Sequence, residues 1–512
     1  MLEQMIKKYY KSNNIYYKKQ ITFKCIDIIN RIKTNNQILK INYMISNSKK
    51  IQSELNYFKE NVDELDRYNN IILEMISNLN IYKLNFSEEF FVEPCFNEID
   101  KEEYFIRKYY DILSHTFVVN SQNKKVKLSN IHLIKKEQER LELKYEIFQK
   151  NYQEISKIFI KLVNLRKKIA SKNKCSVYEY YQDLNYHNKI EVREKLKTCA
   201  KNEYKKLITN YSKKSDFTAF YKNMITLDNK NNLTFNEISF EKNIKKMNPK
   251  FYKLYNRVIK NNCIVNTTGI NVSYSTYLLS HNIPFILFNR TDKIEDYIYL
   301  AHELGHCYQF NETAKKYKIE ELIFPELNVS EIFSQIFEKE FVYNFNNKNL
   351  NIKYLEIECE RILFYCMADE FQDIVYKLKD ISISQIENIW KNLFSDYFEM
   401  YKIEDCLFLK NGKNWITDSL LFTTPYYSSN YFISDMIAMK NFVKNDINNE
   451  IKKLLKHVYD YDINDYLKDE NITGNNVEEI FKQFIGKIEM RCFKWNINIQ
   501  NLMYVLWMIK YS

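Results

Sequence analysis

Apolar residues recur at three- and four-residue intervals along much of this chain, the period of a helix that buries one face. Leu65, Tyr68, Ile71, Ile72, Met75 and Leu79 form such a stripe within Ile51 to Leu79, and a further helical run goes from about Lys136 to Lys172. Between them Phe91-Val92-Glu93-Pro94-Cys95-Phe96 marks a break, since proline brings no amide hydrogen to a helix. The texture changes between about Asn261 and Asn289. Cys263-Ile264-Val265 reads as a short strand, Asn266-Thr267-Thr268-Gly269 as a turn, and Pro284-Phe285-Ile286-Leu287-Phe288-Asn289 as a second strand. Helical spacing then returns. Asp292 with Glu295 makes a capping box, and Ile294, Tyr297, Ala301, Leu304 and Tyr308 make the buried stripe. Pro325 opens another helix, Glu326 to about Tyr343, carrying Ile332, Phe333, Ile336, Phe337 and Phe341. The pattern predicts a mostly helical fold with a small sheet beside the helix that starts near Asp292. No repeat of fixed period stands out.

Composition narrows this further. Among 512 residues only 5 are glycine and 5 proline. Tight hairpin turns need glycine, so a hairpin-rich all-β protein is excluded, as are collagen-like and Pro-rich disordered chains. Apolar residues make up 45%, enough for a substantial core. The net charge of +11 is spread out rather than gathered in basic blocks, and no nucleic-acid-binding signature accompanies it, so no nucleic acid partner is expected. None of the 10 cysteines forms a Cys-x-x-Cys pair, and their spacing suggests no disulfide framework. The N-terminus is polar and lacks a signal-peptide core, and no apolar run is long enough to span a bilayer. The most apolar stretch, Leu502 to Ile509, is short and reads as a buried terminal helix. A reduced, cytoplasmic protein away from membranes is expected.

The chemistry concentrates at His302-Glu303-Leu304-Gly305-His306. Residues four apart share a helix face, so the two histidines can bind one tetrahedral zinc ion, one per chain. Glu303, about 100° round the helix, can then act as the general base toward water. The ligand face is expected to be distinct from the packing stripe, and Gly305 implies the close approach of another element. A third ligand is needed. In the next helix Glu331, Gln335 and Glu338 fall on one face, with Ser334 beside them, and a carboxylate there would complete a His₂Glu site. Cys307 points toward the packing side as a core thiol. His115, His132, His187, His281 and His457 are isolated in sequence and are read as structural.

Leu300-Ala301-His302-Glu303-Leu304-Gly305-His306 resembles the zinc helix of the thimet oligopeptidase and oligoendopeptidase F family of metallopeptidases. The family's glutamate ligand lies twenty-five residues after the second histidine, which is Glu331 here, and its Glu-x-x-Ser-x-x-x-Glu pattern falls on Glu331, Ser334 and Glu338. Weaker echoes are Leu165-Arg166 through Ile169-Ala170 and then Ser176 to Tyr180. Gly269 and the strand holding Phe285 and Leu287 resemble the segment that lays an edge strand along the substrate. Pro425-Tyr426-Tyr427-Ser428-Ser429-Asn430-Tyr431 is similar to the family's tyrosine-rich loop. The resemblance makes Tyr427 and Tyr431 stabilisers of the tetrahedral intermediate and Tyr426 a substrate contact. One departure stands out. Where the family has a histidine a few residues before this proline, the chain reads Leu420-Leu421-Phe422, and His457 does not match.

The resemblance covers about residues 150 to 440, strongly at 300 to 338, and implies a gluzincin-like helical fold with a deep channel for short unfolded peptides. Residues 1–150 are expected to form an N-terminal helical region and 151–512 the catalytic region. The implied activity is zinc-dependent endopeptidase, with Glu303 as general base, a zinc-activated water as nucleophile, His302, His306 and Glu331 as ligands, and Glu338 with Ser334 behind them. Peptide is the expected partner and a monomer the expected state. Two rivals are a processing peptidase dedicated to one partner, such as a leader peptide, and a peptide-binding relative without turnover. A binder has no use for the general base Glu303.

Overall fold

The computed structural model describes residues 2–12, 14–46, scattered positions between 67 and 79, 96–128, 131, 134, 137–182, 185–211, 234–267, 273–400, 411–444, 446–459 and 461–490. Most of the stretch Ile51 to Leu79 and the stripe residue Leu65 lie outside these residues, but the stripe's Tyr68, Ile71, Ile72, Met75 and Leu79 are described, with Ile72 and Met75 fully buried. Pro94, Gly269, His132 and the apolar stretch 502–509 lie wholly outside them. Helices dominate: α1 (Leu2–Lys11), α2 (Ile15–Ser46), α3 (Phe96–His115), α4 (Glu137–Lys150), α5 (Tyr152–Lys172), α6 (Tyr186–Tyr211), α7 (Pro249–Lys260), α8 (Asp296–Lys316), α9 (Leu327–Phe345), α10 (Lys348–Lys377), α11 (Ile383–Tyr397) and α12 (Tyr427–Val443). The run expected from Lys136 to Lys172 is two helices. They part at Asn151, whose side-chain amide donates to the Ile147 carbonyl at 3.0 Å and the Thr116 hydroxyl at 2.6 Å.

The chain divides into two compact units, each made of several stretches. One comprises Met1–Cys95, Lys253–Asn289 and His306–Pro325. In it α2 is tied to the loop after α8 by Asn30 Nδ2 on the Lys318 carbonyl (2.6 Å) and by the Lys33–Glu320 pair (3.2 Å). Its core gathers Tyr277, Leu279, Phe310, Ala314 and Ile323.

This unit holds a three-stranded sheet of β3 (Ile264–Thr267), β4 (Tyr274–Leu278) and β5 (Ile283–Asn289), in the order β3-β5-β4. Strand β5 pairs parallel with β3 and antiparallel with β4. Two expectations are corrected here. Asn266 and Thr267 belong to β3 rather than to a turn. The strand resembling a substrate-lining edge is the central one, closed on both sides, so any added strand would have to use β3 or β4. Pro284 is tolerated in it because β3 pairs only from Ile286 onward, so the missing amide hydrogen interrupts no ladder on that side.

The other unit comprises Phe96–Tyr252, Arg290–Gly305 and Glu326–Ser512. It adds a small hairpin of β1 (Phe117–Val119) and β2 (Lys125–Lys127), which the helical spacing does not reveal. Helices α6 and α10 are locked by buried charge: Lys189 meets Asp373 at 2.9 Å and Asp369 at 3.1 Å, and Arg193 meets the same pair at 2.6 and 2.8 Å. Helix α12 packs along α9, where Ser434 donates to the Asn328 carbonyl at 2.6 Å. No described helix is long and apolar enough to cross a membrane, and the seven cysteines described with their partners are all free thiols.

Candidate metal centre

Helix α8 starts differently from the expected capping box. Asp296 reaches back, and its carboxylate accepts from the amides of Thr291 (2.9 Å) and Asp292 (2.8 Å) and from the Thr291 hydroxyl (2.7 Å). Asp292 takes a left-handed φ of 60° and binds Arg290 instead, while Glu295 faces Lys353 at 3.6 Å. One carboxylate inside the first turn therefore takes the Asp292 amide that the box assigned to Glu295, and adds the amide and hydroxyl of Thr291.

Ile294, Tyr297, Ala301, Leu304 and Tyr308 are buried as the stripe requires, and Cys307 is a fully buried thiol. The ligand face is itself covered: Glu303 and His306 are buried too, and His302 is only partly exposed. The cause is visible at Gly305. A Cβ there would sit 2.7 Å from the Ser334 Cα and 2.9 Å from the Phe337 Cβ, closer than real Cβ atoms approach. Only glycine lets α8 come this near to α9.

That approach brings the ligand candidates together. Histidines 302 and 306 lie one turn apart on α8, and their ring nitrogens and a Glu331 carboxylate oxygen all lie within 4.8 Å of one another. His302 Nε2 is 3.4 Å from Glu331 Oε2. The Ser334 hydroxyl donates to the same Glu331 oxygen at 2.9 Å, which fixes that carboxylate. His306 stacks on Phe310, with centroids 5.9 Å apart. Two imidazoles and one carboxylate, buried and convergent, fit a small divalent cation with mixed nitrogen and oxygen preference.

Behind the ligands, His302 Nδ1 is hydrogen-bonded to Glu338 Oε1. An ionised carboxylate only accepts, so Nδ1 carries the hydrogen and Nε2 is the ring nitrogen left facing Glu331. Glu338 is gripped by the fork of Arg361 at 3.0 and 2.9 Å. Arg361 also meets Glu358, and Glu358 meets Lys339 at 2.7 Å. Burial would push Glu338 up, but Arg361 and His302 outweigh it and hold the group well below the usual carboxylate range. Burial likewise opposes a charge on His302, yet Glu338, then Glu331 and Glu303, lift it to about 9. Glu331 is pushed up by burial, against the pull of His302 and Ser334.

The tyrosines of α12 lie within reach of the Glu331 charge. The hydroxyls of Tyr427 and Tyr431 lie 3.2 Å apart, and Tyr431 stacks flat on Tyr365 of α10 at 4.5 Å. Burial first and Glu331 second push Tyr427 up to about 12 and Tyr431 well above its ordinary value, so both phenols stay protonated donors. Tyr426 is set apart from them. It adopts a left-handed φ of 58° at the head of α12 and is buried against Tyr178, Tyr376 and Lys189, at the margin of a cleft of about 690 Å³. Leu287 is wholly covered and Phe285 nearly so in the central strand, which leaves neither side chain to face a peptide. The segment Leu420-Leu421-Phe422 is held by Arg166, which donates to the Leu421 and Phe422 carbonyls and to Tyr376, and pairs with Glu102 at 2.6 Å.

Arg361, Glu358, Tyr365 and Lys339 were missed in the sequence reading. The signal that could have found the three on α10 is Glu358-x-x-Arg361-x-x-x-Tyr365, charged and phenolic groups at helical spacing on one face.

No family model matches the chain, and no curated protein matches it by sequence. Its fold is nevertheless that of solved peptidase structures. PZ peptidase A, bound to an inhibitor, superposes with a TM-score of 0.76 at 17% identity, over 96% of this chain and 96% of that one. A protein assigned as oligoendopeptidase F from Bacillus anthracis str. Ames gives 0.69 at 17%, over 96% and 95%. Metallocarboxypeptidase 1 of Trypanosoma cruzi gives 0.50 at 10%, over 94% and 99%.

Proposed function

We propose that the chain is a zinc-dependent endopeptidase acting on short, unfolded peptides. The observation that carries this reading is the meeting of His302, His306 and Glu331 donor atoms within 4.8 Å, with the acid Glu303 between the histidines on the same helix. Zinc held by such a set supplies Lewis acidity and lowers the pKa of a water molecule toward about 7. Glu303 takes the proton of the attacking water and delivers it to the leaving amine. Tyr431 and Tyr427 donate hydrogen bonds to the oxygen that gains charge as the scissile carbonyl is attacked. Glu338 keeps the His302 ring in the tautomer that presents Nε2.

The test is a mixed library of 8- to 15-residue peptides read by mass spectrometry, with a chelator and Glu303→Gln as parallel arms. Internal cleavage is expected, abolished by the chelator and cut by about a hundredfold or more in Glu303→Gln, which should keep its zinc. Full activity in that variant would sink the assignment. The likeness to a metallocarboxypeptidase favours one alternative, removal of single C-terminal residues, and ladders of products shortened from that end would select it.

A further inference from the structure

The mechanism above leaves a group of buried charges unused. Lys339 of α9 is completely enclosed, and its ammonium donates to Glu358 of α10 at 2.7 Å, to the Tyr354 hydroxyl at 3.3 Å and to Asp435 of α12. All three donors of the ammonium are thereby directed. The chain of contacts runs on without a gap: Glu358 to Arg361, Arg361 to Glu338, Glu338 to His302. Helices α8, α9, α10 and α12 thus share one line of charge-assisted hydrogen bonds, from the imidazole of a candidate ligand to the helix of the tyrosines.

Asp435 occupies a telling place on α12. Tyr427, Tyr431 and Asp435 are spaced by four residues each, so they form one stripe of that helix. An anchor on Asp435 fixes the rotation of the stripe, and so fixes where both hydroxyls point. Further ties here are the Ser434–Asn328 bond, a weaker one from Gln335 to the Tyr431 carbonyl at 3.3 Å, and the stacking of Tyr431 on Tyr365. Apolar packing alone would be the cheaper way to join α9 to α12, because burying ions costs several kcal/mol each before pairing offsets it. What the ion pair adds is a single allowed geometry. We propose that Lys339, acting through Asp435, is a positioning residue that sets the Tyr427 and Tyr431 hydroxyls against the helices carrying His302 and Glu331. This rests on the assignment of those tyrosines to oxyanion stabilisation.

A mutant cycle on the full chain tests it, with an internally quenched peptide built from a sequence cleaved in the library. Asp435→Asn is expected to keep full zinc content and a KM within about twofold while kcat falls about tenfold or more, since small misplacements of reacting groups are this costly. In the Tyr427→Phe/Tyr431→Phe background the same substitution should change kcat by less than about twofold, because the hydroxyls it positions are gone. An equal loss in both backgrounds, or no loss in either, overturns the proposal. If Tyr427→Phe/Tyr431→Phe alone leaves kcat intact, the tyrosine assignment falls and this proposal with it, while the zinc assignment stands or falls separately on Glu303→Gln. Should Asp435→Asn fail to fold, Lys339→Met/Asp435→Leu replaces the pair by apolar groups of similar size. That variant is expected to melt no lower than the parent yet show the same loss of kcat, and retained kcat in it would also overturn the proposal.

Discussion

A cation beside a buried carboxyl does not by itself decide its ionisation in this chain: burial pushes Asp435 up to about 7 and raises Asp369, although Lys339 meets the first and Lys189 and Arg193 the second. Glu338 and Glu358 lie against Arg361 and Lys339 and are held below the usual range despite burial. Glu360, on the same helix, has Glu356 one turn away; burial, and then that like charge, push it up to about 7 from 4.5, with only Lys353 opposing. Between about 4.5 and about 7 the folded chain therefore holds this proton while the unfolded chain has released it. The contribution is fully present below 4.5 and is lost as pH rises through 7. Glu360→Gln removes the charge and keeps the shape. Allowing for the partial exposure of the side chain, it should stabilise the protein by about 1–2 kcal/mol above neutrality and have almost no effect near the acid end of the window. Urea unfolding at the two pH values decides this. An equal gain at both would trace the effect to packing rather than ionisation.

At the scale of elements, the site depends on how closely α8 and α9 approach. Gly305→Ala would gain about 1 kcal/mol of helix propensity, yet its methyl group would meet the Ser334 backbone at 2.7 Å. Backbone cannot swing aside as a long side chain can, so the helices must part, at a typical cost of about 1–3 kcal/mol. The expected outcome is a lower melting temperature together with weaker zinc binding, measured by calorimetry and by competition with a chelating dye. Unchanged zinc affinity would mean that the separation of the helices does not set the site.

The same two helices show why part of the site was legible beforehand. His302, Glu303 and His306 announce themselves because local spacing fixes a shared helix face, and Gly305 signals the close approach. The start of α8 was misread because Asp292, Glu295 and Asp296 all have chemistry suited to capping, and only tertiary context selects Asp296. The place of β5 in its sheet depends on β4, whose residues Tyr274–Leu278 carry no strong strand pattern. Lys339 could not be singled out at all. Its partners Glu358 and Asp435 are 19 and 96 residues away in sequence.

For the molecule as a whole, the candidate metal site is a concentration of charge that folding must confine. Glu303, Glu331 and Glu338 all act on His302, and with no cation present the ring itself is drawn toward protonation, at about 9. A divalent ion that binds the folded arrangement of residues 302, 306 and 331, and has no equal site in the unfolded chain, must stabilise the fold by linkage. At free zinc about a thousand times the dissociation constant the gain is about 4 kcal/mol. Zinc should therefore raise the unfolding temperature by several degrees, roughly, in a chain of this size, and a chelator should return it to the metal-free value. Glu331→Ala is the necessary partner experiment. It removes a ligand and a buried carboxylate together, so its unfolding temperature should no longer respond to zinc, while its metal-free stability need not fall below that of the parent. A zinc-dependent shift that survives in Glu331→Ala would place the ion elsewhere on the chain and withdraw the third ligand from the proposed site.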